Sequence, residues 1–402
     1  MTDEGGGGSS SSQGSTSAVH NIADLQKRVS KQFEEAIKAG DAYFYESSRV
    51  VVPSSSPEID FVVTCVPALA QKAKESAAAA AANQKKEGNE ERKRDEGEKK
   101  PKDVFAPPYI PNLLVKELDD YTVLLNKFAV LPRHFLLVTR DFVSQELPPS
   151  PRMLALTYRI ILSHPSSSSS ELMAFYNCGA QSGASQPHQH IQFIAVSRKV
   201  QQQDGKQEED EGEEEEDDVD DLDARPNIPI EVLLNRIERD GKEDEAVHAL
   251  PVPWQHFVRL IKPPKVPTSS KDPQQHQARL QALEGYMASR LVSLIDTQFQ
   301  SRRVEAQSSS GESRSGRPSF NILLSKRAFH LIPRRESDIT IPMEGSETST
   351  TDISVNSLGY AGLLLARSEE EVEAVKQVEG GILGILAKAG REPVSEDSWQ
   401  AP

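Results

Sequence analysis

The chain has 402 residues, 27% of them charged, a formal charge of −15 and two cysteines. Cys65 and Cys178 stand far apart, which argues against a disulfide framework or a paired-cysteine metal site and points to a reducing compartment, cytoplasmic or also nuclear; no run reaches the roughly 18 apolar residues of a membrane span, and the start reads as neither a signal nor a transit peptide. Gln201–Asp223 holds fourteen carboxylates and one lysine, a net of −13 that leaves −2 for everything else, so the acidity belongs to one tract and the folded part is nearly neutral.

Residues 1–18 read as a disordered tail by composition, and residues 19–200 as a first folded region. From Asn21 to Ala39 the apolar positions Ile22, Leu25, Val29, Phe33 and Ile37 recur at three- and four-residue steps, which predicts a helix stopped by Gly40. Ala42–Glu46 and Ile59–Val66 read as strands around a Pro and Ser turn. Lys72–Lys102 has no apolar face and reads as a solvated insertion; its lysines are matched by glutamates and no aromatics interleave, which disfavours nucleic acid as a partner. Tyr121–Phe128 and His134–Thr139 are expected to be adjacent strands, with Asn126 and Lys127 ending the first. Met153–Leu162 reads as a helix, His164–Ser170 as a flexible loop and Leu172–Tyr176 as a strand.

Residues 201–225 form an acidic linker, 226–390 a second folded region and 391–402 a tail. The second region is expected to hold a helix near Ile230–Arg239, a long amphipathic helix from about Gln274 to Gln300, and a disordered insertion at Ser308–Pro318. Strands at Ser319–Ser325 and Phe329–Pro333 and a terminal helix over Glu369–Leu386 complete it.

The chemistry concentrates in Tyr176–Gln192. A small-residue loop runs into His188, His190 and Gln192 at spacing two, which in a strand places all three on one face. Little side-chain bulk in that loop lets backbone N–H groups approach an anion. A His-x-His pair serves a metal half-site, a structural hydrogen-bonding pair or catalysis. Imidazole attacks phosphorus directly when one nitrogen is unprotonated and the other donates to a fixed acceptor. His190, mid-face, is the candidate nucleophile; Gln192 offers an amide donor to a phosphate oxygen, and His188 orients the pocket. His134, His256 and His330 flank apolar residues and read as packing or hydrogen-bonding histidines, and Trp254 as core.

Asn177-Cys-Gly followed by Ser182-Gly-Ala-Ser-Gln-Pro-His-Gln-His-Ile-Gln192 resembles the active-site segment of fungal-type diadenosine tetraphosphate phosphorylases, also called ATP adenylyltransferases, of the histidine-triad superfamily. Val104–Tyr109, Leu125–Phe128 with His134–Thr139, Ser319–Ser325 and Val355–Gly362 resemble further segments in the family's order, over roughly residues 20 to 388. The resemblance implies an α+β fold, a histidine-triad-like antiparallel sheet flanked by helices with long disordered insertions. It also implies reversible phosphorolysis of diadenosine tetraphosphate by phosphate, giving ATP and ADP through an adenylyl-histidine. Carried onto this chain, His190 is the nucleophile and Gln192 meets the phosphate. Asn126 and Lys127 contact nucleotide, while Asn177 with Ala184, Ser185, Gln186 and Pro187 line the phosphate site. Asn356, Ser357 and Leu358 contribute from the second region, with Leu363 and Arg367 where the family tends to have Met and Lys. A family lysine follows Pro67-Ala-Leu; Lys72 is favoured over Lys74.

Magnesium, or another divalent cation, is expected to accompany the polyphosphate, with no protein metal ligands and no organic cofactor. The expected partners are dinucleoside polyphosphates, ATP, ADP and phosphate, with neither nucleic acid nor membrane. Three readings compete: the phosphorolytic transferase, a sugar-phosphate uridylyltransferase-like enzyme or hydrolase of the same superfamily, and a non-catalytic nucleotide-binding protein. Gln192, where the hydrolases usually present a third histidine, favours the first.

Overall fold

The structure is a computed structural model that describes residues 22–68, 103–165, 170–197, 226–241, 246–264, 272–308, 317–343 and 349–394. The tail 1–18, the Lys72–Lys102 insertion with Lys72 and Lys74, the acidic linker 201–225 and most of Ser308–Pro318 lie outside the described residues.

The first region supplies strands β1 (Tyr43–Phe44), β2 (Ser48–Ser55), β3 (Glu58–Cys65), β4 (Leu114–Glu117), β5 (Tyr121–Leu125), β6 (Phe128–Ala129), β7 (Phe135–Thr139), β8 (Glu171–Cys178) and β9 (His190–Val196). The second supplies β10 (His248–Ala249), β11 (Phe257–Leu260), β12 (Phe320–Leu324), β13 (Ala328–Pro333), β14 (Asp338–Pro342), β15 (Thr350–Ser354) and β16 (Leu363–Ala366). Nine of them form one sheet in the order β10-β11-β13-β12-β8-β9-β7-β5-β4. Every neighbouring pair in it is antiparallel. The β12–β8 pairing, Asn321 opposite Asn177, joins strands of the two regions. The fold is therefore α+β around a large antiparallel sheet.

Alternation along the strands sorts this sheet into two faces. Ile191 and Phe193 of β9, Leu137 of β7, Tyr176 of β8 and Ile322 of β12 turn towards the helices Leu25–Ala39, Pro151–Leu162 and Pro273–Ser308, packing with Val29, Met153, Ile160, Leu283 and Met287. Pro151–Leu162 starts two residues before the expected Met153, because Pro151 presets the first turn and the Ser150 side chain accepts from the Met153 amide at 3.1 Å. Leu25–Ala39 ends at Gly40, whose φ of 74° is the left-handed cap that glycine adopts freely. Residues of the opposite face, among them Phe175, Ile194, Leu323 and Ile332, pack against Phe61 and Val63 of β3 and against Tyr360 and Leu386 near the end of the chain. That second face, on which Asn126, Asn177, His190 and Gln192 fall by register, is where polar chemistry interrupts the apolar core.

Three expectations need correction. The segment read as a Pro and Ser turn is largely β2, which pairs with β3 from Ser48 to Ser55 and carries Pro53; as the edge of the three-stranded sheet β16-β3-β2 it tolerates a residue without an N–H. Tyr121–Phe128 is not one strand, because the chain turns after Leu125: the Asn126 side chain accepts from the Phe128 amide, and Phe128–Ala129 pairs instead with β1. The terminal helix is two helices, Glu369–Gln377 and Gly381–Ala389, broken where Gly380 and Gly381 take φ of 76° and 56°. Among the described residues no helix is long and apolar enough to cross a membrane.

Candidate active site

β9 begins at His190, and His188 sits before it in an isolated bridge to Ser144. The strand spacing inferred for all three residues therefore holds for His190 and Gln192, while His188 is placed by its own bonds. The two imidazoles still share a ceiling: the Phe105 ring lies 4.9 Å from that of His190 and 6.2 Å from that of His188.

His190 is 3% exposed, and its Nδ1–H donates to the His188 carbonyl at 2.8 Å. A carbonyl only accepts, so that bond fixes the tautomer and leaves the Nε2 lone pair available. Burial lowers the His190 pKa to about 4, against the opposing pull of the His188 carbonyl and with a further push from His188 charge. His188 faces acceptors on both sides: Asp103 Oδ2 lies 2.8 Å from Nδ1, and the Thr139 carbonyl 2.8 Å from Nε2. The Thr139 hydroxyl lies 3.0 Å from the same Nε2, so both ring nitrogens are engaged and the ring is fixed where its backbone carbonyl orients His190.

The rest of the strand is clamped by a residue that the sequence reading missed. Gln145, 3% exposed, accepts from the His190 amide at 2.8 Å and donates to the Asn177 carbonyl at 2.8 Å. It bolts β9 to β8 at the nucleophile. Asp103 was missed as well, because it borders the Lys- and Glu-rich insertion and no motif marks it.

Of the two roles expected for His134, hydrogen bonding is the one it takes. Its Nε2–H donates to Gln192 Oε1 at 3.1 Å, and its Nδ1 accepts from Asn126 Nδ2 at 3.0 Å. Burial, the leading cause, lowers its pKa to about 4, consistent with the neutral ring this chain of bonds requires. With its oxygen engaged, Gln192 keeps its amide hydrogens for another acceptor. Lys127 lies next to Asn126, its ammonium 5.7 Å from the Phe128 ring centre and 6.0 Å from that of Tyr43.

Asn177 and Ser357 come together across the two regions. Asn177 Oδ1 accepts from Asn321 Nδ2 at 2.8 Å and from the Ser357 amide and hydroxyl at 3.0 and 2.6 Å. The small-residue loop meets the same segment: a Cβ on Gly183, whose φ is 77°, would lie 2.8 Å from the Val355 carbonyl and 2.9 Å from Asn356 Cβ. Glycine is what permits that approach. Ala184 and Gln186 are half-buried and Ser185 and Pro187 exposed on the rim, while Asn356 caps the Ser357–Ala361 helix by accepting from the Leu358 amide. Leu358 and Leu363 line a cavity of about 540 Å³ with Val62, Leu131 and Val196, the last residue of β9. Arg367 is paired with Glu371 at 2.8 Å, so a phosphate there would have to share that guanidinium. Its neighbour Ala366 is hydrogen-bonded to Val66, at the point where the chain leaves towards Lys72.

His134 and His190 make stability depend on pH. In the folded chain both protonate near 4 rather than at 6.5, so the unfolded chain takes up protons first as the pH falls. Their contribution is complete above about 6.5 and lost towards about 4, on the order of 3 kcal/mol for each. The urea midpoint should fall between pH 7 and pH 4.5, and fall less steeply in His134→Gln; equal slopes would show that His134 is not held neutral.

Residues 15–207 match the family model of the Ap4A phosphorylase N-terminal domain, and residues 250–392 that of the ATP adenylyltransferase C-terminal domain. The chain is 26% identical over 398 residues to diadenosine 5',5'''-P1,P4-tetraphosphate phosphorylase 2 of Saccharomyces cerevisiae, across 92% of this chain and 97% of the relative. It is 23% identical over 377 residues to Protein APA1 of the same yeast, across 92% and 94%. The fold is that of the crystal structure of yeast Ap4A phosphorylase Apa2, at a TM-score of 0.62 and 21% identity over 93% of this chain and 96% of that one. Apa2 in complex with Ap4A matches at a TM-score of 0.60 and 21% identity, over 92% and 99%. One domain model of this family matches each folded region, in order, and the chain belongs to the fungal-type diadenosine tetraphosphate phosphorylases, or ATP adenylyltransferases.

Proposed function

We propose that this protein phosphorolyses diadenosine tetraphosphate with inorganic phosphate to ATP and ADP, reversibly, through an adenylyl-histidine on His190. One observation carries the assignment of the nucleophile: the His188 carbonyl holds the proton on Nδ1 and leaves Nε2 a lone pair in a buried, aromatic-roofed site. Nε2 attacks the α-phosphorus of one adenylyl group, a P–N bond forms, and the P–O bond to the next phosphate breaks with release of ATP. Phosphate oxygen then attacks the same phosphorus and the P–N bond breaks, giving ADP and restoring the lone pair.

Gln192 favours phosphate over water as the second nucleophile. An amide donates to a phosphate oxygen where charge builds up, yet it takes no proton from water, and phosphate, unlike water, needs no base to attack. The antiparallel sheet that presents His190 is, in this reading, histidine-triad-like. Asn126 and Lys127 meet nucleotide beside Gln192, and Asn177, the loop Ala184–Pro187 and Asn356–Leu358 line the phosphates.

Among the described residues no group of three or more His, Cys, Asp or Glu side chains is arranged to hold a metal ion. We infer that a divalent cation, magnesium by preference, arrives on the phosphate oxygens of the nucleotide and neutralises part of their charge. Cys65 and Cys178 are both free and buried, which supports a reducing compartment, cytoplasm or nucleus.

The test is nucleotide chromatography of the purified chain with diadenosine tetraphosphate. ATP and ADP are expected only when phosphate is present. AMP with ATP, independent of phosphate, would mean hydrolysis, and no turnover would leave a nucleotide-binding protein.

A further inference from the structure

Arg334 follows the last residue of β13 and is 2% exposed. Its guanidinium has five N–H donors and meets five acceptors. Nε donates to the Ala389 carbonyl at 3.2 Å, Nη1 to the Ser182 carbonyl at 3.2 Å and to Asn321 Oδ1, and Nη2 to the Val355 carbonyl at 2.8 Å and to that of Glu336. The Tyr360 ring covers one side at 5.0 Å. None of these partners is a carboxylate, and Asp338 acts on the charge only through space. A cation held this way keeps its charge, and in a poorly polarisable interior that charge is felt further than it is in water.

Its position matters more than its burial. Ser182 lies in the small-residue loop and Val355 immediately precedes Asn356, so one guanidinium grips both sides of the seam where Gly183 and Asn356 touch. Asn321 carries the same grip onward, donating to the Ser182 carbonyl and to Asn177 Oδ1, which in turn receives the Ser357 amide. We infer that Arg334 is a positioning residue of the transfer site, which keeps loop and Asn356–Leu358 segment in one register and whose buried charge draws polyphosphate into the seam. The inference rests on the reading of that seam as a phosphate site.

The test compares full-length Arg334→Gln and Arg334→Lys with the wild type, in affinity for AMP, ADP and ATP and in kcat and KM for diadenosine tetraphosphate. Arg334→Gln removes the charge, and its loss of affinity should grow with ligand charge, from about threefold for AMP to about thirtyfold for ATP. Lysine keeps the charge but cannot span five acceptors. Arg334→Lys should hold KM within about threefold while kcat falls about a hundredfold, the cost of a small misplacement. A purely structural role would weaken AMP, ADP and ATP equally, and that outcome overturns the inference, as would wild-type kinetics in both variants. If Arg334→Gln does not fold, the lysine variant decides: a KM that rises as steeply as kcat falls overturns it. A wild type that binds none of the three nucleotides overturns the functional reading first, and is told apart from these outcomes by needing no variant.

Discussion

His190→Ala should lower turnover of diadenosine tetraphosphate by about 10⁴-fold or more and abolish any covalent nucleotide adduct, since the nucleophile of a two-step transfer has no partial substitute. The neighbouring imidazole is the obvious competitor. His188, however, has Asp103 at one nitrogen and the Thr139 carbonyl and hydroxyl at the other, so both nitrogens are already engaged within the protein. The variant should also remain folded. Gln145 binds the backbone amide of residue 190 rather than its side chain, and the loss is one imidazole under Phe105 and one bond to the His188 carbonyl. Steady-state rates paired with thermal unfolding check both halves: a folded variant retaining a hundredth of the wild-type rate would place the nucleophile elsewhere.

Gln192→Ala should reduce kcat by about 10²- to 10³-fold with a smaller change in KM, the signature of a donor whose bond strengthens as charge develops. The direction of its amide makes the forecast specific. His134 Nε2–H occupies Oε1, which leaves the amide hydrogens for phosphate, and His134 is in turn fixed by Asn126. Gln192→His changes the chemistry instead of merely weakening it: an imidazole takes a proton from water, so AMP should appear among the products. Product ratios with and without phosphate measure this. A Gln192→His enzyme that still gives only ATP and ADP would remove residue 192 from the choice between phosphate and water.

The elements read correctly from the residues are those with a local signal. Leu25, Val29 and Phe33 at helical spacing, the apolar run Met153–Leu162 and the alternation around His190 each dictate a structure from neighbours in the chain. Pro53 misled for the opposite reason, since only its place at a sheet edge, a tertiary fact, makes a strand proline harmless. The site divides along the same line. His190 and Gln192 stood out by spacing, whereas Gln145, Asp103 and Arg334 act through bonds to residues 45, 85 and 152 positions away, which no periodicity records. His134 was visible as a histidine with a partner to find, but not as the link between Asn126 and Gln192, which exists only once β7 lies beside β9. Leu363 and Arg367, placed by resemblance, line a cavity and pair with a carboxylate, respectively. Lys72 lies outside the described residues.

The central claim is that His190 carries the adenylyl group between two phosphate partners. Because a phosphoramidate P–N bond is acid-labile, the direct measurement is an alkaline or denaturant quench of the enzyme with diadenosine tetraphosphate in the absence of phosphate, followed by intact-mass analysis and peptide mapping. One adenylyl group on the peptide holding His190, removed with formation of ADP when phosphate is added, is the predicted result. An enzyme that turns over substrate with no adduct, or with the adduct on another residue, would contradict it.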